Sequence, residues 1–370
     1  MKLLIISHTE HYIKNQEIVG WNPTIREINQ LANLFETVTH LAPLHLRTAP
    51  EGSIGYSNPN ILFSALKPSG GNGIYEKLKV LWYAIPNLIE INKACKKADI
   101  IHFRAPTNLG VYTLPFLWFY RKKKQWIKYA GNWMQEGKPL SYRFQKWWIQ
   151  KNFNKGVATI NGHWPNQAKH IYTFENPCLT LEENRAAQLT NRDWIGKFTI
   201  CFAGALNPEK GAFKIVQALN NLNESEVYIE KFIIAGDGVE RNKILEYDSK
   251  IKIELRGFLK KDDLFKVYSE SHLIILPSSN EGFPKTITEA MAFGCIPIVT
   301  DVSCISQYVI DNVNGFLLKT AEAKEITKVI NKLIDTDISN LELISNKAKE
   351  TSLAFTYENY LEKVKNLILK

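Results

Sequence analysis

Cysteine is scarce in this chain, with five in 370 residues, at Cys95, Cys178, Cys201, Cys295 and Cys304. No C-x-x-C pair occurs among them, so a zinc knuckle or a disulfide framework is not suggested and reduced thiols are expected. Long apolar runs are also missing. The first, Leu3–Ile6, has four residues, below the roughly 7–15 of a signal-peptide core, and reads as a buried first strand. The longest, Leu109–Tyr120, is broken by Gly110, Thr113 and Pro115 and falls short of the roughly 18 apolar residues of a membrane span. A cytoplasmic chain, soluble or peripheral on the inner face of the cell membrane, is therefore expected. What is abundant is core material: 45% of residues are hydrophobic and 11% aromatic, against 22% charged. That excludes a disordered or fibrous chain, and the length suits two domains.

Acidic residues are thin in one half. Residues 1–180 hold 22 Lys and Arg against 10 Asp and Glu, whereas the remainder holds 24 against 27, for a net charge of +9. This asymmetry points to an anionic partner for the N-terminal half. Ten cations between Arg121 and Lys155 are opposed by Glu136 alone, and Trp118, Phe119, Trp126, Tyr129, Trp133, Trp147 and Trp148 interleave with them. Basic residues mixed with Trp and Tyr suit an anionic bilayer surface, each cation near it contributing about 1 kcal/mol. An anionic membrane surface contacting residues 118–155 is expected. No nucleic-acid motif accompanies the patch, so nucleic acid is not expected as a partner.

Short continuous apolar runs alternate with helical periods along the chain. Strands are expected at 2–7, 37–41, 100–103, 126–129, 156–160, 198–202, 231–235, 251–255, 273–276 and 296–299. Helices are expected at 24–35, 212–222, 261–270 and 320–333, the first capped by Asn22 with Pro23 at its first position. Runs without polar alternation are how strands buried on both faces of a parallel sheet read. Alternation with helices predicts βαβ units. The polar stretch 180–191 places the domain junction. Residues 1–185 would form one domain and 186–354 another, with a final helix at 355–370 that packs back on the first. Ligands in such folds bind at the carboxyl ends of the strands.

The segment 271–301, SHLIILPSSNEGFPKTITEAMAFGCIPIVTD, concentrates the chemistry. A buried strand, Leu273–Leu276, ends in a loop; Pro284 opens a helix that Gly294 ends as a left-handed cap. The free N–H groups at a helix start, with the positive end of its dipole, make a site for a diphosphate. Here the candidates are the amides of Phe283, Lys285 and Thr286. Glu289 lies about a turn and a half into this helix, where it could accept from ribose hydroxyls, and Glu281 precedes it.

EGFPKTITEAMAFGCIPIV resembles the E-x7-E signature of retaining GT-B glycosyltransferases, most like glycosyltransferase family 4. Other signposts agree in order. The run from Phe202 through Gly204 to Lys210-Gly211 looks like the family's strand, glycine turn and Lys-Gly motif. Ile234-Ala235-Gly236-Asp237-Gly238 looks like its G-D-G strand end, and Gly257-Phe258 and Val313-Asn314-Gly315-Phe316 also match. The likeness covers 198–318; the N-terminal half is similar only in layout.

The resemblance implies a GT-B fold of two Rossmann-like doubly wound parallel-sheet α/β domains facing a central cleft. It implies a retaining hexosyltransferase of polysaccharide synthesis, using a UDP-sugar or GDP-sugar donor and a saccharide or lipid-linked acceptor, with neither cofactor nor metal. Lys210 would neutralise the leaving diphosphate and Glu281 would order the donor sugar. Glu289 would hold the ribose. Gly204, Ala205, Gly257, Phe258 and the stretch Gly282, Phe283, Pro284, Lys285, Thr286 would line the nucleotide sugar. The family usually has Arg where this chain has Ala205, so that cation is either absent or supplied from elsewhere, with Lys285 and Arg241 as the candidates. The family's N-domain histidine is replaced in Tyr129-Ala130-Gly131-Asn132-Trp133, leaving Asn132 to hydrogen-bond the sugar and His102, with Arg104 at the end of the preceding strand, as candidate cleft residues; Asn132 and His102 are counted with Lys210 and Glu281 as catalytic candidates. A non-catalytic sugar-nucleotide-binding subunit and a GT-B sugar-nucleotide epimerase are the alternatives.

Overall fold

The computed structural model describes residues 1–68, 80, 82–135, 137–222 and 228–370; Glu136, counted above, lies outside them. The chain divides into two compact units, Met1–Phe174 with Tyr360–Lys370, and Glu175–Asn359. All five cysteines are free and buried, and among the described residues no helix is long and apolar enough to cross a membrane.

Unit 1 carries β1 (Lys2–Ile6), β2 (His11–Lys14), β3 (Glu17–Gly20), β4 (Thr37–His45), β5 (Ile54–Gly55), β6 (Ile61–Leu66), β7 (Ile100–Ala105), β8 (Lys124–Tyr129), β9 (Val157–Ile160) and β10 (Ile171–Thr173). They form one sheet in the order β10-β9-β8-β7-β1-β4-β2-β3-β5, with β6 also on β4. β1 lies between β4 and β7, both parallel to it, Leu3 opposite Val38 on one side and Ile100 on the other. Alternate β1 residues enter separate cores. Leu4 and Ile6 join Ile91, Leu114 and Ile149 on one face. Leu3 and Ile5 join Ile28, Leu31, Tyr360 and Val364 on the other.

The β2–β3 hairpin is absent from the sequence-based strands. Its two-residue turn puts Asn15 and Gln16 at φ 51 and 67, the primed geometry that matches strand twist, but without the glycine that usually advertises it. The first helix, Asn22–Ala32, does carry proline at its start, but Trp21, not Asn22, holds the cap position and no side chain caps it. Asn22 is already helical, so its side chain cannot close the first turn.

A one-way hydrogen-bond chain fixes the exit from β1. The Thr9 carbonyl can only accept, so His11 Nδ1 donates to it at 2.8 Å. Neutral His11 then accepts at Nε2 from the Tyr56 hydroxyl, 2.8 Å away. Tyr56 in turn accepts from His40 Nδ1 at 2.6 Å, and His40 Nε2 accepts from the Ser7 hydroxyl at 2.7 Å. Ser7 Oγ accepts the Thr9 N–H. Both rings are fully buried, and with both neutral every donor and acceptor of the chain is paired.

Unit 2 carries β11 (Phe198–Ala203), β12 (Ile229–Ala235), β13 (Lys252–Gly257), β14 (Leu273–Leu276), β15 (Ile296–Thr300) and β16 (Phe316–Leu318). All pairings are parallel, in the order β13-β12-β11-β14-β15-β16. β11, β14 and β15 are buried along their whole length, as their unbroken apolar runs require. The helix expected at 261–270 spans Lys261–Glu270. The one expected at 320–333 starts three residues later, at Ala323.

Candidate active site

The strand order of unit 2 reverses between β11 and β14. Chain connections leave such a pair in opposite directions, which opens a crevice at the carboxyl ends of the strands. Two loops meet there. The Ser279 N–H donates to the Glu209 carbonyl at 2.9 Å, tying the loop after β14 to the loop after β11. Gly211 begins helix Ala212–Asn220 at φ 76, and a Cβ there would lie 2.9 Å from the Pro277 ring. Handedness and packing both demand glycine beside Lys210.

The Lys210 N–H donates to Asn207 Oδ1 at 3.0 Å, which fixes the turn that presents its side chain. Lys210 Nζ pairs with the Glu281 carboxylate. The structure thus brings together two expected site residues 71 positions apart. The Glu281 side chain is 9% exposed and that of Lys210 28%, so the cation is the more open to an arriving anion.

The loops after β11 and β12 approach too closely for side chains. A Cβ on Gly236 would sit 1.8 Å from the Gly204 carbonyl oxygen, and one on Gly238 2.4 Å from that of Leu206. The G-D-G glycines are packing glycines. Gly204 itself is open, its nearest neighbour for an added Cβ being 3.5 Å away.

Helix Lys285–Ala292 follows Glu281 after three residues. Pro284 holds its cap position, no side chain caps it, and its first turn has no acidic residue. Its positive end is therefore left uncompensated by its own side chains. Gly294, at φ 80, ends it as expected. Lys285, Thr286 and Glu289 are half-buried, and Glu289 accepts from the buried Tyr268 hydroxyl at 3.4 Å. Phe283 points into the core, stacked on Phe355 at 4.6 Å, so its side chain anchors the loop and leaves only its backbone for a ligand. The Gly282 carbonyl accepts from Ser303 Oγ at 2.9 Å. Ser303 and Tyr268 were not among the expected site residues. The only sequence signal for Tyr268 is its place on the buried face of its helix, and Ser303 has none.

Gly257 donates no side chain; its carbonyl accepts the Gly236 N–H at 2.7 Å, and Phe258 beside it is exposed. Ala205 is exposed. Arg241 lies near Gly257, one guanidinium nitrogen 4.0 Å from where a Cβ would stand, and meets Asp237 at 3.9 Å.

The N-terminal candidates lie in unit 1. His102 is fully buried in β7. Its ring stacks on Trp126 at 3.8 Å, and Nδ1 donates to the Trp126 carbonyl at 3.2 Å. Burial, then the charge of Arg104, hold its pKa well below the usual imidazole value. Placed between β1 and β8 with no solvent contact, His102 is a core residue rather than a group that touches a ligand. Arg104 is likewise buried, with Lys128, around Glu27; each meets that carboxylate at 2.7 Å, and Tyr360 donates to it at 3.0 Å. Asn132 is half-buried after β8. Its side-chain oxygen accepts the Met134 N–H at 3.0 Å, so it first serves its own turn. Lys138 donates to the Trp133 carbonyl at 3.0 Å, and burial, then Lys146, push its pKa down to about 8.

A parallel sheet in this order is a doubly wound α/β unit, with a lysine–glutamate pair and a helix start at its switch point. With the second unit, it gives the chain the GT-B fold class. Residues 190–350 match the model of the glycosyl transferases group 1 family. An uncharacterized glycosyltransferase of Haemophilus influenzae is 29% identical over 213 residues, 55% of this chain and 57% of that protein. The Escherichia coli UDP-Gal:alpha-D-GlcNAc-diphosphoundecaprenol alpha-1,3-galactosyltransferase is 26% identical over 178 residues, 46% of this chain and 45% of that protein. The chain thus spans about half the length of these curated relatives. The sucrose-phosphate synthase of Thermosynechococcus elongatus has the same fold, at a TM-score of 0.72 over 99% of this chain and 98% of that one, with 17% identity.

Proposed function

We propose that this chain transfers a hexosyl group from a nucleoside diphosphate sugar to a saccharide or lipid-linked acceptor, with retention, in surface polysaccharide synthesis. The observation that carries the reading is the Lys210–Glu281 pair at the switch point of unit 2, beside a helix start that no side chain caps.

In this reading Lys210 turns from Glu281 to the incoming diphosphate, and the amides at the start of helix Lys285–Ala292 share that charge. Glu289 holds the ribose, and Glu281, released from the lysine, orders the sugar hydroxyls. The bond from the anomeric carbon to the diphosphate oxygen breaks, and an acceptor hydroxyl oxygen bonds to that carbon on the same face. The acceptor's proton ends on the departing diphosphate. Catalysis then rests on positioning and on pre-oriented positive charge, without a covalent enzyme intermediate. Unit 1, with Asn132 at a strand end, takes the acceptor. A UDP donor is favoured over a GDP donor by the name of the Escherichia coli relative.

The test is thermal unfolding with UDP, GDP and ADP, with and without a chelator, on the chain and on Glu289→Ala. One nucleotide at a hundred times its dissociation constant should stabilise by about 2.7 kcal/mol, unaffected by chelator and lost in the variant. Release of labelled sugar from the matching donor, lost in Lys210→Ala, should follow. Binding without any turnover would leave a sugar-nucleotide-binding subunit; no binding at all would sink the reading.

A further inference from the structure

Unit 1 wears two unlike helical layers on its sheet. On one face the helix Asn22–Ala32 exposes no large apolar side chain. The opposite face is covered by helices Ala84–Lys97, Gly110–Leu117 and Leu140–Gln150, whose inner residues share one core with β1. Their outer surfaces are apolar and cationic together.

The helix Ala84–Lys97 shows this most clearly. Its inward residues are Asn87, Ile91 and Cys95. Its outward row begins with Trp82, Ile85 and Ile89, at 80%, 71% and 50% exposure. Helical spacing continues that row into Lys93, Lys96 and Lys97, all exposed. Beside it, Tyr120 donates to Asn92 and Lys123 donates to the Cys95 and Ala98 carbonyls at 2.8 and 2.6 Å. These contacts dock the turn Trp118–Tyr120 against the helix. That turn presents Phe119 at 73% exposure, followed by exposed Arg121, Lys122 and Lys124. The third helix repeats the pattern with Leu140, Arg143 and Trp147. Among the described residues of these segments the acidic side chains are Glu90, paired with Lys93 at 2.7 Å, and Asp99, which accepts the Lys2 N–H at 2.7 Å.

We infer that this helical layer is a docking surface for an anionic lipid bilayer. Exposed Trp, Ile and Phe on one helical face can enter the headgroup boundary while the cations ringing them meet lipid phosphates. A soluble anion or nucleic acid would use the charges but has no use for the large apolar area, which water otherwise surrounds at a cost. The surface differs from the one the sequence pattern suggests. Within 118–155, Trp126, Tyr129, Trp133, Lys128 and Lys138 are buried, and the exposed apolar row on 82–89 lies outside that segment. The inference deepens the reading of a lipid-linked acceptor by naming the face that meets the lipid.

Co-sedimentation with vesicles of phosphatidylglycerol mixed into phosphatidylcholine, against phosphatidylcholine alone, tests it on the full chain. Strong partitioning onto the anionic vesicles at low salt is expected, weakened by high salt. The triple variant Ile85→Ser, Ile89→Ser, Phe119→Ser should lose about tenfold in partitioning. Lys96→Glu, Lys97→Glu, Lys122→Glu should lose about as much, on anionic vesicles only. Trp21→Ser, on the other helical layer, should bind as the parent does. Urea unfolding and hydrogen exchange of unit 1 should match the parent in every variant, which reports folding, and nucleotide stabilisation should be unchanged, which keeps the two readings separate. Parent chain that ignores anionic vesicles while still answering to nucleotide overturns the docking surface and leaves the transferase reading standing. Triple variants that bind as well as the parent overturn it too.

Discussion

Unit 1 should lose stability in a defined acid window, because its buried histidines are neutral by construction. The His11–Tyr56–His40–Ser7 chain leaves each Nε2 as an acceptor facing a hydroxyl donor. Protonating either ring would turn its hydroxyl partner from donor to acceptor and strand that hydroxyl's own hydrogen. Burial, opposed by the Thr9 carbonyl and reinforced by His45, lowers the His11 pKa to about 4. Burial, then His11 and Arg104, hold His40 well below 6.5. The unfolded chain takes up the His11 proton near pH 6.5 and the folded chain only near 4. A lowered folded value means that the stabilisation is full above 6.5 and is lost as pH falls. The gap of about 2.5 pH units for His11 corresponds to about 3 kcal/mol at 1.36 kcal/mol each. His40 and His102 add in the same direction. Against a total of about 5–15 kcal/mol, that is enough to bring unit 1 close to unfolding near pH 4. Urea titrations across the window, with hydrogen exchange on peptides from 1–20 and 198–203 to separate the units, would read it. His11→Asn should flatten the slope by its own share. A unit 1 stability that moves by less than about 1 kcal/mol across the window, or a His11 ring titrating near 6.5, would refute the neutral chain.

Glu27→Gln should destabilise unit 1 by about 3–5 kcal/mol, because Arg104 and Lys128 would be left buried around a neutral amide; chemical denaturation measures it, and the nucleotide response of unit 2 should survive. Gly236→Ala should prevent unit 2 from reaching its native packing, at a cost of about 3 kcal/mol or more. Gly204→Ala, which meets only ordinary contacts, should unfold within about 0.5 kcal/mol of the parent; paired thermal melts of the two would distinguish a packing glycine from an open one.

How much of this was legible depended on where the determining contacts lie in the chain. The parallel sheets could be read because each buried strand is a local apolar run, and Leu273–Leu276 falls within the residues expected. Helix Lys285–Ala292 was legible for the same reason, with Pro284 and Gly294 marking its ends. Lys210 and Glu281 could be named from motif resemblance, but their pairing depends on Ser279, Glu209 and Pro277 locking two distant loops. The basic aromatic segment was legible only in part, because composition does not say which way a side chain points. Lys128 answers to Glu27 and Tyr360, from elements far along the chain, and so turns inward. His102, expected at a strand end, lies in the middle of β7 with its ring on Trp126, and the sequence reads alike in either place. The β2–β3 hairpin rests on two left-handed residues that need no glycine and so leave no mark.

The chain enters unit 1, leaves it at Phe174, builds all of unit 2, and returns to unit 1 at Tyr360. Tyr360, Val364 and Ile368 are core residues of unit 1, and the Tyr360 hydroxyl is one of the partners of buried Glu27. During synthesis, then, the part made first is finished last. Unit 2 is a single uninterrupted stretch and can close as soon as Asn359 has emerged. Unit 1 must wait, with one core face uncovered and a carboxylate short of one donor, until the final helix arrives. Unit 1 therefore closes only through contacts of high sequence separation, which are the slow kind to form.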